Sequence, residues 1–222
     1  MDSKRLTLFA GHYGSGKTNI AVNYALFLAK AGKKVCIADL DIVNPYFRTK
    51  DSEEELSAAG ITLVSPRFAN SNVDLPALPA ESYRLVQDKS TYGIMDIGGD
   101  DRGAYALGRF SEAIKAENDY RMAFVVNCYR PLTSTVEDTV EIMKEIEAAC
   151  GLGFTCIVNN SNLGIETTAE TVLESVDFVN ELSSATGLPI WLTTAETCVA
   201  EKLSGLNVLP MKLQKKIFDL PG

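Results

Sequence analysis

The chain has 222 residues, 46% of them hydrophobic, and a formal net charge of −8. That length and apolar content can bury a full α/β core, whereas an acidic surface disfavours general affinity for nucleic-acid backbone or anionic membrane. No apolar stretch approaches the roughly 18 residues of a membrane span, and Met1-Asp2-Ser3-Lys4-Arg5 lacks the apolar centre of a secretion signal, so a cytoplasmic protein is expected.

In chain order, the first strand is expected over 6–10, where Leu6-Thr7-Leu8-Phe9-Ala10 is a short apolar run. It leads into Gly11-His12-Tyr13-Gly14-Ser15-Gly16-Lys17-Thr18, which fits the phosphate-loop pattern G-x-x-x-x-G-K-[ST] without a mismatch. A helix follows over 17–31, with Ile20, Tyr24, Phe27 and Ala31 at helical spacing and Gly32 where a C-terminus favours positive φ. Strand, glycine loop and helix in this order offer a phosphate inward-pointing N–H groups, a positive helix end and no Cβ in the way. Lys17 is expected to reach the β- and γ-phosphates and Thr18 to ligate Mg²⁺. Gly11 to Gly16 and Asn19 belong to the same nucleotide contact.

The second strand, 34–39, ends in Asp39-Leu40-Asp41-Ile42-Val43-Asn44-Pro45. Alternation puts Asp39 and Asp41 on one face, where such groups hold Mg²⁺ waters or orient an attacking water; Asp39 is assigned the first role and Asp41 the second. A helix over 50–59 and a strand over 62–64 precede a long loop, Ser65 to Pro79, and a helix over 79–88. The fourth strand, 91–96, ends in Asp96-Ile97-Gly98-Gly99-Asp100-Asp101. An apolar strand closed by Asp is the Walker-B arrangement, with Asp96 holding Mg²⁺ through water. Gly99 sits where its N–H can meet the γ-phosphate, as in a segment ordered by the third phosphate and released on hydrolysis. Ile97 stands where a large ATPase group places a catalytic Glu, which leaves water activation to Asp41.

A helix over 103–116 and a strand over 121–127 lead to Asn127-Cys128-Tyr129-Arg130-Pro131, expected to contact these switch segments. Capping boxes Ser134-x-x-Glu137 and Thr167-x-x-Glu170 open helices over 134–149 and 168–186. Between them a strand over 154–159 ends in Val158-Asn159-Asn160-Ser161-Asn162. GTPases use N-K-x-D here, and Asn162 takes the place of the guanine-reading Asp. An amide presents only one acceptor atom, so adenine is favoured, with Asn159 as the base contact. A strand over 189–193 and a short basic helix over 210–218 complete the chain. The five cysteines form no C-x-x-C pair and read as reduced, mostly buried thiols; for a metal or cluster held between two subunits, Cys128, just past a strand end, is the foremost candidate.

Apolar strands separated by helices indicate a three-layer α/β P-loop NTPase fold: a mostly parallel sheet of about seven strands with helices on both faces. Residues 1–222 form one nucleotide-binding domain, with 205–222 as a candidate appended segment.

The P-loop at 11–18, D-L-D-I-V-N-P at 39–45, D-I-G-G at 96–99 and V-N-N-S at 158–161 together resemble the MinD/ParA class of P-loop ATPases. The likeness runs from Leu6 to about Thr194. It implies ATP and Mg²⁺ as cofactors, a nucleotide-dependent homodimer, and hydrolysis that changes the conformation of a partner protein. It also implies that Asp41 orients water, that Lys17, Thr18 and Asp96 hold phosphates and metal, and that Asn159 meets adenine. The chain departs from the class in its signature lysine, replaced by His12, and in the following glycine, replaced by Tyr13. His12 substitutes weakly for that lysine, is a neutral loop residue, or leaves the charge to Arg102 or Arg130. The expected function is a Mg²⁺-dependent ATPase switch on a partner protein, in maturation of a metal or cofactor enzyme. A small-molecule ligase or kinase and a DNA- or membrane-positioning ATPase are the alternatives.

Overall fold

Alternation within β1 (Leu6–Ala10) sets the layers: Leu6, Leu8 and Ala10 enter one core, Phe9 the other, and all five residues are buried. A strand apolar on both faces must be covered on both. The computed structural model describes residues 3–41, 49–65, 80–99 and 101–213. After β1 come α1 (Lys17–Lys30), β2 (Val35–Leu40), α2 (Glu53–Ala58), β3 (Thr62–Val64), α3 (Ala80–Gln87) and β4 (Tyr92–Ile97). The second half runs α4 (Asp101–Gly108), α5 (Ser111–Glu117), β5 (Tyr120–Val126), α6 (Val136–Cys150), β6 (Cys156–Asn159), α7 (Ala169–Thr186), β7 (Ile190–Glu196), α8 (Thr197–Ala200) and β8 (Val208–Met211).

The sheet order is β3-β2-β4-β1-β5-β6-β7-β8, and every neighbouring pair is parallel. The chain leaves β1 and passes over β4 to reach β2, so the order reverses beside β1 and a crevice opens at its C-terminal end. One face is covered by α3 to α7, through residues such as Leu85, Leu107, Ile114, Met143 and Leu182. The other is covered by α1 and α2, where Phe9 stacks on Trp191 at 6.1 Å and meets Tyr24 edge-on at 5.8 Å. At the far end of β1, Arg5 donates to the carbonyls of Leu85, Asp88 and Thr91 and pairs with the buried Glu117.

The architecture agrees with the expected fold class, with eight strands in place of about seven. The additional strand is β8, which occupies part of the stretch expected as the helix over 210–218. Leu209 and Met211 are buried while Pro210 between them is exposed, a strand's alternation, and an edge position tolerates the proline. Asn23 on α1 donates to the Lys212 carbonyl and accepts the Lys212 N–H, which fastens the segment to the body. Residues 214–218 of that helix lie outside the described residues, as do 42–48, 66–79 and 100 from the motifs and loop above. The helix expected over 103–116 is broken at Arg109-Phe110. Both caps fall one residue later than expected. Thr135 accepts from the Asp138 N–H, and Thr168 forms a reciprocal box with Thr171.

Candidate functional site

The glycine loop lies between β1 and α1, at the reversal point of the sheet. Gly16 is the N-cap of α1 with φ 87°, and a Cβ there would come within 2.3 Å of the Asn160 side-chain nitrogen. Only glycine satisfies both conditions. No side chain caps α1 and its first turn carries no acidic residue, so its leading N–H groups are left for an anion. Lys17 is folded back, with Nζ 3.1 Å from the His12 carbonyl, which also accepts the Ser15 N–H. Asn160 donates to the Ser15 carbonyl at 2.6 Å, and its oxygen accepts the Thr194 hydroxyl. One amide therefore ties the loop after β1 and the end of β6 to the body of β7.

On the other side of β1, pairing of β2 with β4 sets Asp39 opposite Asp96. Both are buried, at 4% and 1% exposure. Burial is the main cause holding both carboxyls above the ordinary carboxylate range, and their mutual repulsion adds to it for Asp39. For Asp96, the hydroxyls of Thr18 and Thr49 and the Lys17 ammonium pull the other way. Asp39 Oδ1 accepts the Asp41 N–H at 3.0 Å, and Asp96 Oδ2 accepts the Thr49 hydroxyl at 3.2 Å. Asp96 Oδ1 is buried with no hydrogen-bond partner among the described residues. An orphaned carboxylate oxygen beside a second acidic side chain is short of a cation.

These donors are hard oxygens and fit Mg²⁺, which keeps several waters and draws other ligands from phosphate. Among the described residues no three His, Cys, Asp or Glu side chains group into a metal site on their own, so phosphate oxygens and the Thr18 hydroxyl would have to complete the shell. Gly99, just past β4, lies on the glycine loop. A Cβ on it would stand 2.6 Å from the Tyr13 nitrogen and 3.0 Å from Lys17 Nζ.

A cavity of about 710 Å³ runs from this loop to the segment after β6 and the end of β7. Of the residues expected at the site, Tyr13, Gly14, Gly16, Lys17, Thr18, Asn19 and Asp41 line it. Gly11 and the buried Ser15 belong to the same loop, and Asp39 and Asp96 close the strand ends beside it. His12 is half-buried, its Nδ1 3.0 Å from the Tyr13 carbonyl.

The base contact expected of Asn159 does not fit its placement. Asn159 is 1% exposed, donates to the Ser175 hydroxyl at 2.8 Å and accepts the Ser161 N–H at 3.1 Å. The cavity wall belongs to Asn160. Counted from it, the fourth position of an N-K-x-D pattern is Leu163, not Asn162. The Asn162 amide shapes its own loop, donating to the Asn160 carbonyl and accepting the Gly164 N–H.

Arg130 and Glu196 also line the cavity. Arg130 is one of the two arginines the sequence offers as a source of the charge missing at His12. Glu196 carried no sequence signal, since its place depends on β7 continuing beyond 193. The Arg102 side chain lies outside the described residues. All five cysteines are free thiols, and Cys128 is half-buried with its N–H bonded to Ser161.

Residues 6–163 match the family model of the CobQ/CobB/MinD/ParA nucleotide binding domain, CbiA. No curated protein matches significantly in sequence. Among solved structures, the cell division protein FtsY of Thermotoga maritima aligns at 16% identity with a TM-score of 0.57, covering 87% of this chain and 62% of that one. Chloroplast FtsY of Physcomitrella patens aligns at 16% identity and TM-score 0.59, covering 87% and 59%. The signal recognition particle 54 kDa protein of Aeropyrum pernix K1, in complex with GDP, aligns at 17% identity and TM-score 0.55, covering 86% and 41%. The chain thus spans less than two thirds of these structures, and at such identities the likeness concerns the fold.

Proposed function

Since the chain belongs to the CobQ/CobB/MinD/ParA nucleotide-binding domain family, we propose that it binds ATP with Mg²⁺ and hydrolyses it slowly as a switch acting on a partner protein. The observation that carries this reading is Asp96: a buried carboxylate with one unpartnered oxygen, at a strand end beside the uncapped start of α1. In this reading Lys17 leaves the His12 carbonyl for the β- and γ-phosphates, and the leading N–H groups of α1 hold the phosphate oxygens. The Gly99 N–H meets the γ-phosphate, so the segment after β4 senses the third phosphate. Asp41 accepts a hydrogen bond from the attacking water and aligns it with phosphorus. Mg²⁺, held by Thr18 with Asp96 and Asp39 through water, would offset charge on the phosphate oxygens.

Adenine is supported by Leu163, an apolar side chain where the guanine-reading carboxylate of an N-K-x-D pattern would stand. Guanine is the competing base, because two structural neighbours carry GDP. The output is assigned to a partner protein in maturation of a metal or cofactor enzyme, with a homodimer closing on ATP. A cytoplasmic protein of this charge is not expected on DNA or anionic lipid, and among the described residues no helix is long and apolar enough to cross a membrane.

Equilibrium binding of ATP and GTP, each with and without Mg²⁺, tests the reading. Mg·ATP should bind at least about tenfold more tightly than Mg·GTP. Tighter GTP binding would overturn the base assignment, and binding of neither would overturn the nucleotide reading. Hydrolysis that needs a small carboxylate acceptor would favour a ligase instead.

A further inference from the structure

We propose that Arg130 is a second phosphate cation of this site, reaching the nucleotide's polyphosphate tail from the same chain. The inference rests on the nucleotide reading above and adds a residue to it. Among the described residues lining the cavity, only Lys17 and Arg130 are cationic. Arg130 lies over the glycine loop, its Nε 3.6 Å and Cζ 3.8 Å from where a Cβ on Gly14 would stand. That Gly14 is open to it follows from the loop's own geometry, since Gly14 has φ 76° and carries no side chain. Its guanidinium is exposed and makes no ion pair or hydrogen bond with any described residue.

The segment that carries Arg130 is fastened on all sides, whereas its side chain is not. Pro131 follows and starts a single 3₁₀ turn, which holds Arg130 extended at φ −90°, ψ 137°. The Arg130 N–H donates to the Asn127 carbonyl, and its carbonyl accepts the Thr133 N–H. Asn127 is fully buried; its side chain donates to the Asn162 carbonyl and accepts the N–H groups of Tyr129 and Asn162. The Thr133 hydroxyl donates to the Asn127 carbonyl at 2.7 Å, and the Tyr129 hydroxyl donates to Thr171 at 2.6 Å. Tethering of this kind fixes where a side chain starts and spares a ligand the cost of ordering the backbone.

The chemistry suits a polyphosphate. A guanidinium presents several donors in a plane, stays charged at every working pH, and pairs with phosphate through two parallel hydrogen bonds. Lys17 Nζ lies at the His12 carbonyl and the Arg130 guanidinium at Gly14, so the two cations stand at different points of the loop that would wrap a phosphate chain.

The test uses the full chain with Mg·ATP and Mg·ADP in equilibrium binding. Arg130→Met keeps much of the stem and removes the charge; it should raise Kd for ATP about tenfold and leave the melting temperature of the nucleotide-free protein unchanged. Arg130→Lys should recover part of the loss. Wild-type affinity in Arg130→Met would overturn the proposal. So would equal losses in the Met and Lys variants together with a lower melting temperature, which would mark a packing role. Absence of nucleotide binding in the wild-type protein would instead sink the reading on which the proposal stands.

Discussion

Asp41 and Asp39 are two residues apart and differ in what they can do. Asp39 is buried opposite Asp96 at the strand ends, where its charge is costly without a cation. Asp41 faces the cavity. Replacing Asp41 with Asn should keep Mg·ATP bound within a few-fold and slow hydrolysis about a hundredfold, measured by single-turnover kinetics beside equilibrium binding. Unchanged turnover would remove Asp41 from the water-positioning role. At this scale the sequence announced the glycine loop and the aspartates because backbone geometry there tolerates few residue types. It did not distinguish Asn159 from Asn160. Adjacent residues on a strand point to opposite sides, and which amide reaches the Ser15 carbonyl depends on where β6 stops.

The strands and helices hold the site through contacts made far from it. At the opposite end of β1, Arg5 joins α3, the turn before β4 and the end of α5 through three carbonyls and Glu117. Arg5→Met should cost about 3 kcal/mol in urea denaturation, because it strips a buried carboxylate of its main partner and orphans several carbonyls. Nucleotide affinity should be unaffected, since the clamp lies at the other end of the strand. A loss below about 1 kcal/mol would show the pair to be dispensable. The two caps were legible to within one residue: Ser134-Thr135 and Thr167-Thr168 each offer two hydroxyls in a row, and the one that meets an N–H three residues on becomes the cap. The misreading of β8 has a different origin. Lysines after Met211 suggested an amphipathic helix, whereas the alternation of Leu209, Pro210 and Met211 is set by the exposed edge of β7 that they cover.

Over the whole molecule, the parallel sheet buries both faces and leaves its C-terminal edge as the place where polar groups can gather. The order β3-β2-β4-β1-β5-β6-β7-β8 brings to that edge the glycine loop from β1, the aspartates from β2 and β4, Arg130 from β5, Asn160 from β6 and Thr194 from β7. No local signal in the chain records that convergence. It follows from right-handed crossovers between parallel strands, which is why the fold class was readable and the full site was not. The molecule's central claim is that this edge cradles a nucleotide phosphate tail with Lys17 as its inner cation. Thermal unfolding with and without saturating Mg·ATP, in the wild type and in Lys17→Ala, tests it most directly. Ligand at a hundredfold excess over Kd should stabilise the wild type by about 2.7 kcal/mol and leave Lys17→Ala unmoved. An equal shift in both proteins, or none in the wild type, would contradict it.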